Sequence, residues 1–580
     1  MQLGRALLGA SVGGGLDAIA KGLGIKEILK GKADYDGPIT EEYINYCRND
    51  VNLTWNVFIK LRDLFNKHAF STPIERIFSE ASVGKAYLDD LGVKPFLEKN
   101  KDFDRRFCGL FMASMYGGRS EVRWRHEIRE GMQADFKSQY PTVNALMQLQ
   151  RFNVAASVVA GTSDAAVQFL RAVTLEDLQK PEAWPNLCGV ALVRPKTGDI
   201  LPVRTVYEKE IDQDGAPTVM SMQQIGDNEI ESGPPAVWTF ADIIASKIRT
   251  GRCPEILQAT VLVAQKVQDG LKPKKYFGDD QYNIDLKRDD LFQRFIDVRS
   301  TIKNRPDFKT NSELKPMEQG IKLCSNATSY GELVQFDIDE RKKKQGTWVY
   351  YGFNRMRKTA RSPKLAEDGR NEISGYKVEK PGKWFAPWGP LIPAGGRLLL
   401  AIAEKLALDR DIRHAFADTD SMFFVRPDDM ERNEFQRRVS EIAGPTGWFQ
   451  ALNPYTGNDP VFNIDDVNFK IECNKENNVV RDEKGNGKLD KGSIEPLYFF
   501  GVSAKRYALA NRSDNGEWII RKASGHGLAH ITASDYASEK PLHPAAPFEV
   551  EKEDASPLWF GVKGAWKEGE RRIQVVVATP

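Results

Sequence analysis

Residues 414–425 read HAFADTDSMFFV, and the reading of the fold turns on this stretch. Asp418 and Asp420 stand one residue apart between short apolar runs, with Phe416 before them and Met422, Phe423 and Phe424 after. The pattern predicts a β-hairpin with both carboxylates at its tip. Two like charges about 4 Å apart repel by roughly 4 kcal/mol at an effective dielectric near 20. A shared proton, a nearby cation or free solvation could each offset that cost. Taken alone, the pair reads first as a solvated turn.

A third carboxylate changes the balance. Asp135, in ADFKSQYP (134–141), ends a strand predicted to close near Phe136, followed by a turn and a helix opening at Pro141. With that strand beside the hairpin, Asp135, Asp418 and Asp420 would form a hard oxygen cage suited to Mg²⁺. Such cages often hold two ions roughly 3.5–4 Å apart, which clamp the attacking and leaving oxygens of a phosphoryl displacement. Phosphoryl transfer also needs cations for the substrate's phosphates. Residues 285–332 read as two helices around the breaker NRPDFKTN. Arg299 and Lys303 share a face of the first, and Lys322, Asn326 and Tyr330 form a stripe on the second. Turned inward, the two would grip a triphosphate.

The bulk composition is compatible with this. Lys plus Arg number 82 and Asp plus Glu 80 in 580 residues, a formal net charge of +2. The balance argues against a simple polycation and leaves room for local basic patches facing acidic ones. Cys47, Cys108, Cys188, Cys253, Cys324 and Cys473 are scattered, with no CxxC pair. Neither a zinc ribbon nor a disulfide framework is indicated, and a reducing compartment suits them. No apolar run is long enough to span a membrane. The N-terminal stretch faintly imitates a signal peptide, but LDAIAKGLGI has the apolar spacing of a soluble helix.

The motifs resemble those of family B DNA polymerases. ADFKSQYP is similar to motif A (DxxSLYP), KLCSNATSYG (322–331) to motif B (KxxxNSxYG) and FADTDS to motif C (YGDTDS). VRSTIK matches RxxxK of the first fingers helix, and AKRY the KxY at the thumb boundary. MYGGR (115–119) resembles the YxGG linker, and YCRND, with Tyr46 and Asp50, the third exonuclease motif YxxxD. All occur in the family's chain order.

The resemblance implies a right-hand α+β multidomain fold with an antiparallel-sheet palm, helical fingers and thumb, and a partial RNase H-like exonuclease domain. The implied divisions are an exonuclease remnant (1–70), a linker (71–130), a palm with an insertion (131–284), fingers (285–340), a basic-aromatic insertion (341–390), further palm (391–480) and a thumb (481–580). It implies two Mg²⁺ ions, with Mn²⁺ as a substitute, held by Asp135, Asp418 and Asp420. The main chain of Phe136, Ser138 and Gln139 would cradle the triphosphate, and Tyr140 would exclude a 2′-OH. Arg299, Lys303, Lys322 and Asn326 would bind the nucleotide, and Tyr330 would line the nascent base pair. Tyr116, Gly117 and Gly118 would touch template, and Lys505 and Tyr507 the primer. The implied partners of this monomer are primer–template DNA, dNTPs and a terminal protein as primer, in the cytoplasm of a bacterium or phage-infected cell.

The chain departs from the family pattern in four places. Motif B has one residue more between Asn326 and Tyr330, Gln139 replaces Leu, Phe416-Ala417 replace Tyr-Gly, and Met115 replaces the Tyr of YxGG. The long gaps between motifs A, B and C are similar to those of protein-primed phage polymerases. The second gap holds the basic-aromatic stretch 341–364, which reads as a nucleic-acid surface or a solvated loop. No DxE pair precedes Tyr46, so the chain is expected to start inside the exonuclease domain and not to proofread. The rival readings are a non-catalytic polymerase-like DNA-binding protein, an inactive fragment and a nuclease.

Overall fold

The computed structural model describes residues 2–8, 15–25, 37–203, 235–308, 314–331, 333–340, 377–472, 488–512 and 518–525, with short segments between and beyond them. The side chains of 341–364 and the pair His526 and His530 lie outside the described residues.

An antiparallel sheet organises the molecule. Its strands are β1 (Ser120–Val122), β2 (Ile128–Phe136), β3 (Arg413–Asp418), β4 (Ser421–Val425), β5 (Phe462–Ile464), β6 (Leu497–Ser503), β7 (Arg506–Arg512) and β8 (Trp518–Gly525). The order is β1-β3-β4-β2-β6-β7-β8, with β5 also against β2. β2 is therefore central. One edge pairs with β4 from Gly131 to Asp135; the other meets β6 from Ile128 to Gly131 and β5 from Ala134 to Phe136. Alternation along β2 sends Met132, Ala134 and Phe136 into the core and leaves Asp135 on the opposite face.

Seven helices matter here: α1 (Glu41–Lys67), α2 (Glu80–Asp90), α3 (Gln139–Leu146), α4 (Phe240–Thr250), α5 (Leu291–Lys303), α6 (Leu314–Asn326) and α7 (Leu391–Leu408). Helix α7 is apolar on nearly all sides and almost wholly buried, as such helices must be. It packs on α3 and α4, and its Gly396 permits close approach: a Cβ there would stand 2.4 Å from Gln139 Oε1. The insertion forms a second antiparallel sheet, in the order Ala155–Thr162, Glu255–Val267, Gly189–Arg194, Ala236–Thr239. A separate apolar core joins α1, α2, α5 and α6.

Three sequence expectations change. Helix α3 opens at Gln139, so Pro141 sits in its first turn, where a missing N–H costs no intrahelical bond. The thumb expected to be helical is, over 489–512 and 518–525, made of strands, and β6, β7 and β8 extend the central sheet. β1, expected in the linker, pairs with β3 in the same sheet. Both shifts reflect strand pairing between distant segments, which local periodicity does not encode. Among the described residues no helix is long and apolar enough to cross a membrane.

A candidate nucleotide and metal site

The hairpin tip is built on a strained turn. Asp418 pairs with Ser421, and Asp420 N–H donates to Asp418 O at 2.7 Å across Thr419, whose φ is +62°. That is costly for a β-branched residue. Two contacts hold it: Thr419 N–H donates to Arg119 O at 2.7 Å, and its side chain faces Gly118. A Cβ at Gly118 would lie 3.0 Å from Thr419 Cγ2 and 3.1 Å from Tyr140 Oη, so this glycine lets the 116–118 segment reach the hairpin. Gly117 accepts a hydrogen bond from Arg397, whose guanidinium lies 5.8 Å over the Tyr116 ring.

The tip separates the two aspartates. Asp420 turns toward β2, where its carbonyl accepts from Phe136 N–H at 2.8 Å and Ser421 lies opposite Asp135. Asp418 has Oδ1 3.0 Å from Lys505 Nζ. The Lys505 turn that provides this partner has a φ of +60°. Tyr507 is buried beneath the hairpin, its ring stacked 4.3 Å from that of Phe416. The expected primer contact is thus a core residue, whereas Lys505 is partly exposed.

Asp135 and Asp420 open into a cleft of about 740 Å³. Phe136, Ser138, Gln139, Tyr140, Arg299, Lys303, Lys322 and Asn326 line it with them. Tyr330 lies just behind, its ring 5.3 Å from that of Tyr140. Motif B's extra residue is absorbed here: Ala327–Gly331 forms a π-helical turn, a common way for a helix to take up an inserted residue. The turn is tied to α3 by Asn144 Nδ2, which donates to Ser329 O at 3.3 Å. One detail departs from expectation. Phe136 N–H is spent on Asp420 O, leaving the N-terminus of α3 at Ser138 and Gln139 as the main-chain part of the cradle.

The electrostatics are those of an acidic pocket, partly offset by Lys522 and Lys505, under a basic wall. Burial first, then the charges of Asp465 and Asp420, push the Asp135 carboxyl up to about 7. Confinement in the cleft, then Asp418, raises that of Asp420, although its outer edge is open to solvent. Burial and the neighbouring Arg299 lower the Lys303 ammonium. Arg299 Nε donates to Glu318 Oε1 at 2.7 Å.

Sequence reasoning missed Lys137, Asp459, Asp465, Asp466 and Lys491, which also line the cleft. Asp465 N–H donates to Gln133 O at 3.0 Å, and its Oδ2 lies 3.5 Å from Lys522 Nζ. The signal was present in FNIDDV (462–467), where two adjacent acids follow a short apolar run. Tyr46 and Asp50 lie on α1, outside this cleft. Among the described residues no three His, Cys, Asp or Glu side chains converge closely enough to hold a metal ion, at Asp50 or at the cleft. Of the three expected carboxylates, Asp135 and Asp420 line the cleft, while Asp418 pairs with Lys505 and lies near enough to raise the Asp420 carboxyl.

No family model matches the chain, and no curated protein matches it. Among solved structures the chain is similar to Phi29 DNA polymerase complexed with primer-template DNA and incoming nucleotide substrates: 14% identity, 99% of this chain, 78% of the other, TM-score 0.42. It is also similar to the orthorhombic crystal form of that polymerase, at 15% identity over 90% of this chain and 72% of the other, TM-score 0.45. For its complex with single-stranded DNA the values are 14%, 91%, 72% and 0.42.

Proposed function

We propose that this chain is a DNA-directed DNA polymerase of family B type, adding dNMP to a primer 3′-OH on a template. One observation carries the reading: motifs nearly three hundred residues apart deliver Asp135, Asp420, Arg299, Lys303, Lys322 and Asn326 to one cleft. Carboxylates on one side and cations on the other match the charge layout of a nucleoside triphosphate with its metal.

The donor chemistry fits Mg²⁺, or Mn²⁺ in its place. Asp135 and Asp420 offer hard oxygens, and Mg²⁺ takes one or two carboxylates and fills its remaining positions with water and substrate phosphates. Its raised carboxyl marks Asp135 as a place where a cation would relieve charge. Bound Mg²⁺ would supply Lewis acidity for in-line attack of the 3′-OH on the α-phosphate, with pyrophosphate leaving. The protein's own part is positioning. Arg299, Lys303 and Lys322 grip the phosphates, and the N-terminus of α3 presents Ser138 and Gln139 to them. Tyr140, wedged between Tyr330 and the Gly118 main chain, forms a wall under the sugar where a 2′-OH would clash. Lys505 holds Asp418 and stands beside the primer's path. Template contacts fall to Tyr116, Gly117 and Gly118.

The rival, a non-catalytic DNA-binding protein with this fold, draws support from Asp418, whose carboxylate is paired with Lys505. A labelled primer–template incubated with Mg²⁺, with and without dNTPs, decides between them. Extension that requires dNTPs and is lost in Asp420→Asn is the expected result. DNA binding without extension by the wild type would establish the rival. Shortening of single-stranded 3′ ends without dNTPs would instead reveal a nuclease.

A further inference from the structure

Residues 453–466, NPYTGNDPVFNIDD, form a strap from the fingers helix to the central strand. At one end, Thr456 N–H and Oγ1 both donate to Asp297 Oδ1 of α5, each at 2.9 Å. Tyr455 Oη lies 2.6 Å from Thr142 Oγ1 of α3. At the other end, Asn463 pairs opposite Asp135. The strap thus holds Asp459 over the cleft mouth, with Oδ2 2.9 Å from Lys137 Nζ. Lys137 is two residues beyond Asp135, on the turn that leads into α3, and Val461 O accepts its N–H at 2.8 Å. Its side chain is only 19% exposed, its ammonium lies 5.4 Å from the Tyr455 ring, and both it and Asp459 line the cleft. No motif assigns either residue a role.

We propose that Lys137 is a phosphate contact of the nucleotide cleft, alongside Arg299, Lys303 and Lys322, and that Asp459 is the counter-ion an entering triphosphate displaces. The identity of the anion rests on the polymerase reading. Geometry supports the exchange. Lys137 has a buried stem and a fixed main chain, so its ammonium cannot swing far. Asp459 is 67% exposed and rotates into water at little cost. An ion pair with one exposed partner is weak, and a triphosphate carries several negative charges where Asp459 carries one. Glu318, by contrast, is only 11% exposed where it pairs with Arg299 at 2.7 Å.

The test is calorimetric titration of the full chain with inorganic tripolyphosphate, followed by dNTP dependence of primer extension. Lys137→Gln is expected to weaken tripolyphosphate binding about tenfold, the loss of one charge-assisted bond. Asp459→Asn is expected to tighten it several-fold, and the double variant to lose most of that gain, since Asp459 bonds to Lys137 and reaches Lys303 only through its field. In extension, Lys137→Gln raises the dNTP KM more than it lowers kcat. Unchanged binding in Lys137→Gln, or Asp459→Asn tightening that persists undiminished without Lys137, overturns the proposal, as does a wild type that does not bind tripolyphosphate. Thermal unfolding of each variant identifies any that misfolds, and Lys137→Arg, which keeps the charge, should then restore binding. A wild type that shows this binding pattern without extending primers keeps the exchange and refutes the polymerase reading. Extension without the pattern does the reverse.

Discussion

Asp418 and Asp420 are separated by one residue, yet Thr419's left-handed backbone gives them different neighbours. Asp420 joins Asp135, while Asp418 joins Lys505. Their substitutions should differ accordingly. Asp135→Asn and Asp420→Asn are expected to drop primer extension to background while thermal unfolding stays unchanged or rises, because each relieves like-charge repulsion. Asp418→Asn, removing a partner one shell out, should cost about 10–100-fold. Equal losses in all three would show that Asp418 enters the site when substrate binds. Before any pairing is known, residue identity marked these acids as notable. Residue identity grouped Asp418 with Asp420, and the structure adds Lys505 as the partner of Asp418.

At the scale of elements, the helices α5 and α6 and the strand ends were legible because each carries a local period. The π-turn was not, because an extra residue reads simply as a spacing mismatch. A wide turn absorbs that residue and keeps Tyr330 against Tyr140. Inserting one alanine after Ala327 should rotate Tyr330 by about 100° and lower kcat/KM for dNTP on the order of 10²-fold. Deleting Thr328, which lets the turn regularise, should change kcat/KM far less. Stopped-flow incorporation would distinguish the two. The apolar core joining α1, α2, α5 and α6 carries a separate pH dependence. His68, just past α1, is buried with Nδ1 2.6 Å from Tyr87 Oη of α2. Burial, then Lys274, lowers its imidazole from 6.5 to about 3. The unfolded chain binds the proton more readily, so stability is full above pH 6.5 and declines as pH falls toward 3. The loss is about 1.4 kcal/mol per pH unit within that window. Urea midpoints across pH should show a shallower acid slope in His68→Gln than in the wild type.

The whole molecule is held around the hairpin by a buried charge network drawn from four regions. Glu404 of α7 accepts Arg119 at 2.7 Å, Arg123 at 3.1 Å and Arg249 of α4 at 3.4 Å. Glu121 of β1 accepts Arg119 at 2.5 Å and lies 2.9 Å from His414 Nε2 of β3. The insertion is fastened to the same helix by Asp242 and Arg397, at 2.8 and 2.9 Å. Removing one member of a buried pair leaves the others uncompensated. Glu404→Ala is expected to cost about 3–5 kcal/mol in denaturant unfolding and to loosen the hairpin with it. The domain boundaries drawn from motifs cut across this network, since the central sheet takes strands from the linker and from the region assigned to the thumb.

The sequence by itself determined the carboxylate hairpin, the acid at the end of β2 and the basic stripes of α5 and α6, since residue type and local period are written in the chain. Tertiary structure alone decided which acids meet. It brought Asp465 and Asp459 to the cleft, turned Asp418 to Lys505, spent the Phe136 N–H on Asp420 and buried Tyr507 under Phe416. The reason is that β2 pairs with β4 on one edge and with β5 and β6 on the other. Those registers join segments hundreds of residues apart, and a one-residue slip in any of them would turn a different set of side chains into the cleft.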